Sequence, residues 1–135
     1  MKFLADAMLG RLGRWLRLLG YDTAIATDIL SDDEVLEKAR KEKRVLLTRD
    51  KDLFRRSKGV VRAHYFKSRG VRNELKEIIK ALKLKVRFPE RTRCSICNGK
   101  LRKRSDFWIC SECSQTYWKG SHWKRIKMAV REIKK

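Results

Sequence analysis

Four cysteines, the only ones in the chain, stand as Cys94-Ser-Ile-Cys97, twelve further residues, then Cys110-Ser-Glu-Cys113. This array constrains the fold around it more than any other feature. A two-residue gap lets one tight turn present two sulfurs to a single ion, and two such turns complete a tetrahedral thiolate site. The surrounding segment needs that help. Between residues 91 and 118 its large apolar side chains are Ile96, Leu101, Phe107, Trp108, Ile109, Tyr117 and Trp118, too few to close a core by themselves. Zinc at Cys94, Cys97, Cys110 and Cys113 would supply the missing folding energy. With all four positions filled by sulfur, no coordination site stays open for catalysis, so the expected zinc is structural. Two disulfides are the alternative, which a reducing compartment disfavours.

Before Pro89 the apolar pattern switches repeatedly between strand and helix periods. Residues 2–5 read as a short apolar strand ended by Asp6, and Leu9, Leu12, Leu16 and Leu19 follow at helical spacing from Met8 to Gly20, a C′ glycine. Residues 23–26 make a second strand. Ser31 with Glu34 three positions on is a capping box leading into Val35, Leu36 and Ala39. Residues 44–48 contain Val-Leu-Leu, an unbroken apolar run that suits a parallel strand covered on both faces. A short helix to Gly59, a strand at 60–66 and an amphipathic helix through Val71, Leu75, Ile78, Ile79 and Leu82 complete the series. The alternation predicts an α/β fold with a small, mostly parallel sheet between helical layers. The expected division is a domain at 1–88 and a zinc ribbon with a basic tail at 89–135.

Charge narrows the function. The chain of 135 residues carries a net +20, with 42% hydrophobic residues and one proline, which describes a folded protein with a cationic surface rather than a disordered tail. Residues 1–90 hold 23 Lys/Arg and 13 Asp/Glu, and residues 91–135 hold 13 and 3, so each part has a net +10. The partner expected for such a surface is a polyanion. Seven of the eight aspartates nevertheless fall in the first 52 positions. Asp6 and Asp50 each follow a predicted strand, where parallel sheets bind ligands; Asp52 comes one residue later, and Asp32 opens a helix. Converging carboxylates repel one another unless a divalent cation sits among them, and hard oxygen donors suit Mg²⁺ or Mn²⁺, ions able to activate water against a phosphodiester. Helix caps and solvated turns are the other reading of these acids.

Cations recur at Arg11, Arg14 and Arg17 on the first helix and at Arg102, Lys103 and Arg104 between the cysteine pairs. Beyond them come Tyr117, Trp118, Lys119, His122, Trp123 and Lys124. Rings among cations suit stacking on unpaired bases. Trp123 is the expected stacking residue; Trp108, two positions before a cysteine, is expected in the ribbon core, and His64 is expected to pack in its strand. Gly10 and Gly13 lack the pattern of a phosphate loop and are expected to permit close helix packing.

The blocks FLADAMLGRLGRWLRLLGYDT, SDDEVLEKARKEKRVLLTRDKDL, RCSICNGKL and YWKGSH resemble, in this order, the PIN-like C-terminal RNase domain family named after the exonuclease mut-seven. The likeness runs from about residue 2 to residue 122. It implies a PIN-like three-layer core fused to a zinc ribbon, RNA as substrate, and Asp6, Asp32, Asp50 and Asp52 as the acids holding Mg²⁺ or Mn²⁺; Asp32 and Asp33 are alternative registers for one of them. The segment before SDDEVL is shorter than in longer PIN domains, where helices often supply another acid. Two functions follow. One is a metal-dependent endoribonuclease whose ribbon and basic faces bind RNA. The other is a non-catalytic RNA-binding or ribosome-associated module with a nuclease-like core. A toxin-like role would require a small protein partner. With no apolar run of membrane length and with Asp6 interrupting any leader, the expected location is the cytoplasm.

Overall fold

The computed structural model describes residues 1–118 and 120–134. Its elements are β1 (Phe3–Ala5), a 3-10 turn (Ala7–Leu9), α1 (Gly10–Leu18), β2 (Thr23–Ile25), α2 (Asp32–Glu42), β3 (Val45–Thr48), α3 (Lys51–Ser57), β4 (Ala63–Tyr65) and α4 (Val71–Leu82), followed by β5 (Leu101–Lys103), β6 (Phe107–Cys110), β7 (Thr116–Trp118) and α5 (Ser121–Lys134). No described helix is long and apolar enough to cross a membrane.

The first four strands form a parallel sheet in the order β2-β1-β3-β4. Phe3 lies opposite both Thr23 and Val45, and Leu46 lies opposite Ala63. Because side chains alternate across a strand, Phe3, Ala5, Val45 and Leu47 face Leu12, Leu16, Leu75 and Ile78 of α1 and α4. Leu4 and Leu46 face Val35, Leu36, Ala39 and Leu53 of α2 and α3. Both faces are therefore covered, as the unbroken apolar run of β3 requires, and the expected three-layer arrangement results.

Local signals act as the sequence implies. Ser31 Oγ accepts the Glu34 amide while the Glu34 carboxylate accepts the Ser31 amide, so the capping box is complete. Gly20 ends α1 at φ +100°. A Cβ on Gly13 would lie 2.8 Å from Ile25 Cγ1 and 3.3 Å from the Ala5 Cβ, so α1 rides directly on β1 and β2. The fourth strand is shorter than expected: the amides of Val60 and Val61 both bond the Ser57 carbonyl, and the chain is still turning there.

The remaining strands make an antiparallel sheet, β5-β6-β7. Residues 1–88 and 89–135 share a single apolar cluster: Phe3, Leu12 and Ile78 are continuous with Cys94, Trp108, Tyr117, Trp123, Ile126 and Val130. Helix α5 closes this cluster beside α4, where Arg72 and Glu132 pair at 2.8 Å.

Candidate functional site

The chain leaves β1 toward β2 on one side and returns to β3 on the other, so the carboxyl ends of β1 and β3 flank the crevice where this sheet order places ligands. Asp6 follows β1 directly. Its Oδ1 accepts the Ala7 amide at 2.8 Å and its Oδ2 accepts the Thr48 hydroxyl at 3.0 Å. The same hydroxyl oxygen accepts the Asp50 amide at 3.0 Å. Thr48, fully buried at the end of β3, thus ties the two strand ends together. Asp50 caps α3, its Oδ1 accepting the amides of Asp52 and Leu53 at 2.8 and 3.3 Å. Among the described residues no donor meets its Oδ2.

The other two acids are placed differently. Asp32 pairs with Arg56 at 3.4 Å, and Arg56 also binds Asp33. Asp52, 80% exposed, has Arg55 at 3.9 Å. Among the described residues the only group of three or more close potential ligands is the cysteine set, so the four aspartates are not gathered in this arrangement. The reason is local: capping by Asp50 sets the first turn of α3 with Asp52 facing solvent, and Arg56 holds the first turn of α2 against α3. Asp6 and Asp50, on either side of Thr48, could still hold a hard divalent ion, since Mg²⁺ is commonly bound through one or two carboxylates with water and phosphate completing the shell.

Sequence reasoning missed the cationic wall beside these acids. An open cleft of about 690 Å³ is lined by Met8, Arg49, Lys51, Tyr65, Lys67 and Arg69. Arg49 and Lys51 flank Asp50 in the sequence and could have been found there; Lys67 and Arg69 arrive only because β4 pairs with β3. Arg49 is braced by the buried Glu74. Glu77 accepts the amides of Lys67 and Ser68, the latter at 2.8 Å, and meets His64 Nε2 at 2.6 Å. His64 also packs edge-on against Phe66.

The four cysteine sulfurs all lie within 4.8 Å of one another, with Cys94 and Cys113 at 3.7 Å and Cys97 and Cys110 at 3.4 Å. A tetrahedral zinc–thiolate site with bonds of about 2.3 Å separates its sulfurs by about 3.8 Å. None is in a disulfide, so this cluster could bind zinc. Burial pushes the Cys97 thiol up to about 12, whereas at Cys110 the amides of Cys113 and Glu112 outweigh burial and hold the group at about 7; a bound metal would require all four as thiolates. A Cβ on Gly99 would come within 2.8 Å of Cys110 Sγ and 3.2 Å of Cys97 Sγ, so only glycine fits the turn.

A family model described as the Mut7-C RNAse domain matches residues 1–106 and again 102–130. The chain belongs to the Mut7-C RNAse domain family. No curated protein and no solved structure matches it. Membership points to a ribonuclease-like role and to RNA binding for this Mut7-C RNAse domain.

Its expected RNA-binding residues divide sharply. Arg11 and Arg14 are exposed on α1, as are Arg102, Lys103, Arg104 and Lys124 farther along; Lys103 also lies 5.8 Å over the Trp108 ring. Arg17 is instead 7% exposed, with Nε donating to the Thr23 carbonyl and Nη1 to those of Ser95 and Ile96. It fastens the first cysteine turn to the parallel sheet. Trp123, expected to stack on bases, is 5% exposed and lies against Trp108 with centroids 4.4 Å apart, because α5 folds it back into the core. Trp118, one of the rings that stand among cations in the sequence, is 57% exposed. Lys119 and the His122 side chain lie outside the described residues.

Proposed function

We propose that this Mut7-C RNAse domain is a metal-dependent endoribonuclease with Asp6 and Asp50 at its centre. The observation that carries the reading is the Asp6–Thr48–Asp50 linkage at the crevice between β1 and β3, next to the cleft of Arg49, Lys51, Lys67 and Arg69. Acids alone would repel RNA and cations alone would only bind it; their adjacency is what phosphodiester hydrolysis needs. Bound Mg²⁺ or Mn²⁺ would acidify an attacking water and neutralise charge on the phosphate. Thr48 holds Asp6 in place, and the cleft cations hold the strand on either side of the scissile bond. Asp32 and Asp52 are outer members of the acid set, each of which would have to leave its arginine to meet an ion. Zinc in the four-cysteine cluster would be structural.

The test is cleavage of an internally labelled single-stranded RNA by zinc-loaded protein. Addition of Mg²⁺ or Mn²⁺ starts turnover, and Asp6→Asn and Asp50→Asn abolish it while RNA binding persists. Full activity in both variants would overturn the reading.

A second reading, an RNA-binding module without catalysis, is favoured by one observation: the carboxylates are engaged in helix caps and ion pairs rather than grouped as a set. It expects affinity to fall steeply with salt through counterion release, with no metal-dependent turnover in the same assay.

A further inference from the structure

Cross-strand pairing sorts the ribbon sheet into two faces. Arg102 lies opposite Ile109, Ile109 opposite Thr116 and Phe107 opposite Trp118, so these residues share one face; Arg104, whose amide bonds the Phe107 carbonyl at 2.7 Å, extends it. The alternate residues, Trp108, Cys110 and Tyr117, turn inward and are buried. On the outer face the rings of Phe107 and Trp118 stack with centroids 4.4 Å apart and an interplanar angle of 27°. Trp118 nevertheless remains 57% exposed. A lone exposed ring would need no explanation. Here the ring is held against a second one, and two exposed arginines on the far side of β6 share the face and form no ion pair among the described residues.

We infer that the outer face of β5-β6-β7 is a stacking platform for unpaired bases of single-stranded RNA, with Trp118 and Phe107 as its rings and Arg102 and Arg104 as its phosphate contacts. The identity of the occupant follows from charge and shape. Residues 91–135 carry 13 Lys/Arg against 3 Asp/Glu, so a polyanion is attracted where a basic partner is repelled. A ring fixed by its neighbour offers a rigid π surface, which unstacked bases can use and a closed duplex cannot. This inference rests on RNA as the ligand, and it extends the binding surface from the sheet cleft to the ribbon, at a position distinct from the buried Trp123.

Binding is measured by fluorescence anisotropy of a labelled oligouridylate and of a duplex of equal length, with all proteins carrying Asp6→Asn so that no cleavage intervenes. Trp118→Ala is expected to bind the single strand about tenfold more weakly and the duplex unchanged, with zinc content retained; Trp118→Phe restores most of the loss. Arg102→Ala with Arg104→Ala lowers the salt slope for the single strand by about 1.4, and this variant decides the matter if Trp118→Ala fails to retain zinc. Undiminished single-strand affinity overturns the inference, as does an equal loss on duplex. Self-association of the parent that Trp118→Ala abolishes overturns it too, in favour of a second copy on this face. Lack of turnover by the parent protein would count against the catalytic reading alone, because this experiment uses an already inactive background.

Discussion

Arg17 shows how little a cationic side chain reveals of its task until its neighbours are known. Steps of three residues drift by about 60° around an α-helix, which puts Arg17 about 120° from Arg11 and off the solvent face. Burial pulls its pKa down, whereas nearby Cys94 and Cys97 favour the charged form. Replacing it strands the Thr23, Ser95 and Ile96 carbonyls that now accept from it. Arg17→Ala is expected to cost about 3–5 kcal/mol in urea unfolding. Arg17→Lys recovers only part of this, because an ammonium cannot reproduce the planar fork. Arg14→Ala, on the exposed side, stays within about 0.5 kcal/mol of the parent.

At the level of elements, the Glu77 carboxylate gathers His64 and the Lys67 and Ser68 amides in the connection from β4 to α4. Burial pushes Glu77 upward, but its bonds to His64 and to the Ser68 and Lys67 amides outweigh that and hold the group at about 2, against an ordinary 4.5. A carboxylate depressed by folding contributes stability that is complete above its unfolded value and is lost as pH falls toward the folded one. Glu77→Gln is therefore expected to lower stability by about 2 kcal/mol at pH 7, with the difference closing between pH 4.5 and 2; urea unfolding across that range measures it. The same connection carries Lys67 and Arg69 to the cleft, so the variant should also bind RNA more weakly at neutral pH, where its fold is still intact.

Across the described residues, a single apolar cluster passes from Phe3 and Ile78 to Trp108 and Val130, so the parallel sheet and the ribbon are expected to unfold together. Zinc in the cysteine cluster would therefore support more than the ribbon. Cys94→Ser with Cys97→Ser, or exhaustive chelation, is expected to unfold the ribbon and to lower the melting temperature of the rest by about 10 °C or more. Calorimetry of the loaded protein should show a single transition, and an unchanged melting temperature after metal loss would contradict this coupling. The +20 charge acts at this scale as well: long-range attraction of a polyanion is expected to weaken steeply as salt rises.

The order of elements, the two covered faces of the parallel sheet, the capping box at Ser31 and the four-sulfur cluster were all legible in the residues. Each depends on spacing along the chain, and backbone geometry translates spacing directly into periodicity, turns and paired ligands. The placement of Asp6 and Asp50 at two strand ends was legible for the same reason. Which rings and cations face solvent was not. Trp123 and Arg17 lie inside because α5 and the first cysteine turn pack onto them, while Trp118 stays outside because nothing described covers it beyond Phe107. The pairing of Asp32 with Arg56 likewise depends on how α2 and α3 lie against each other. Burial and partner choice are set by what arrives from distant parts of the chain, and only tertiary packing decides that.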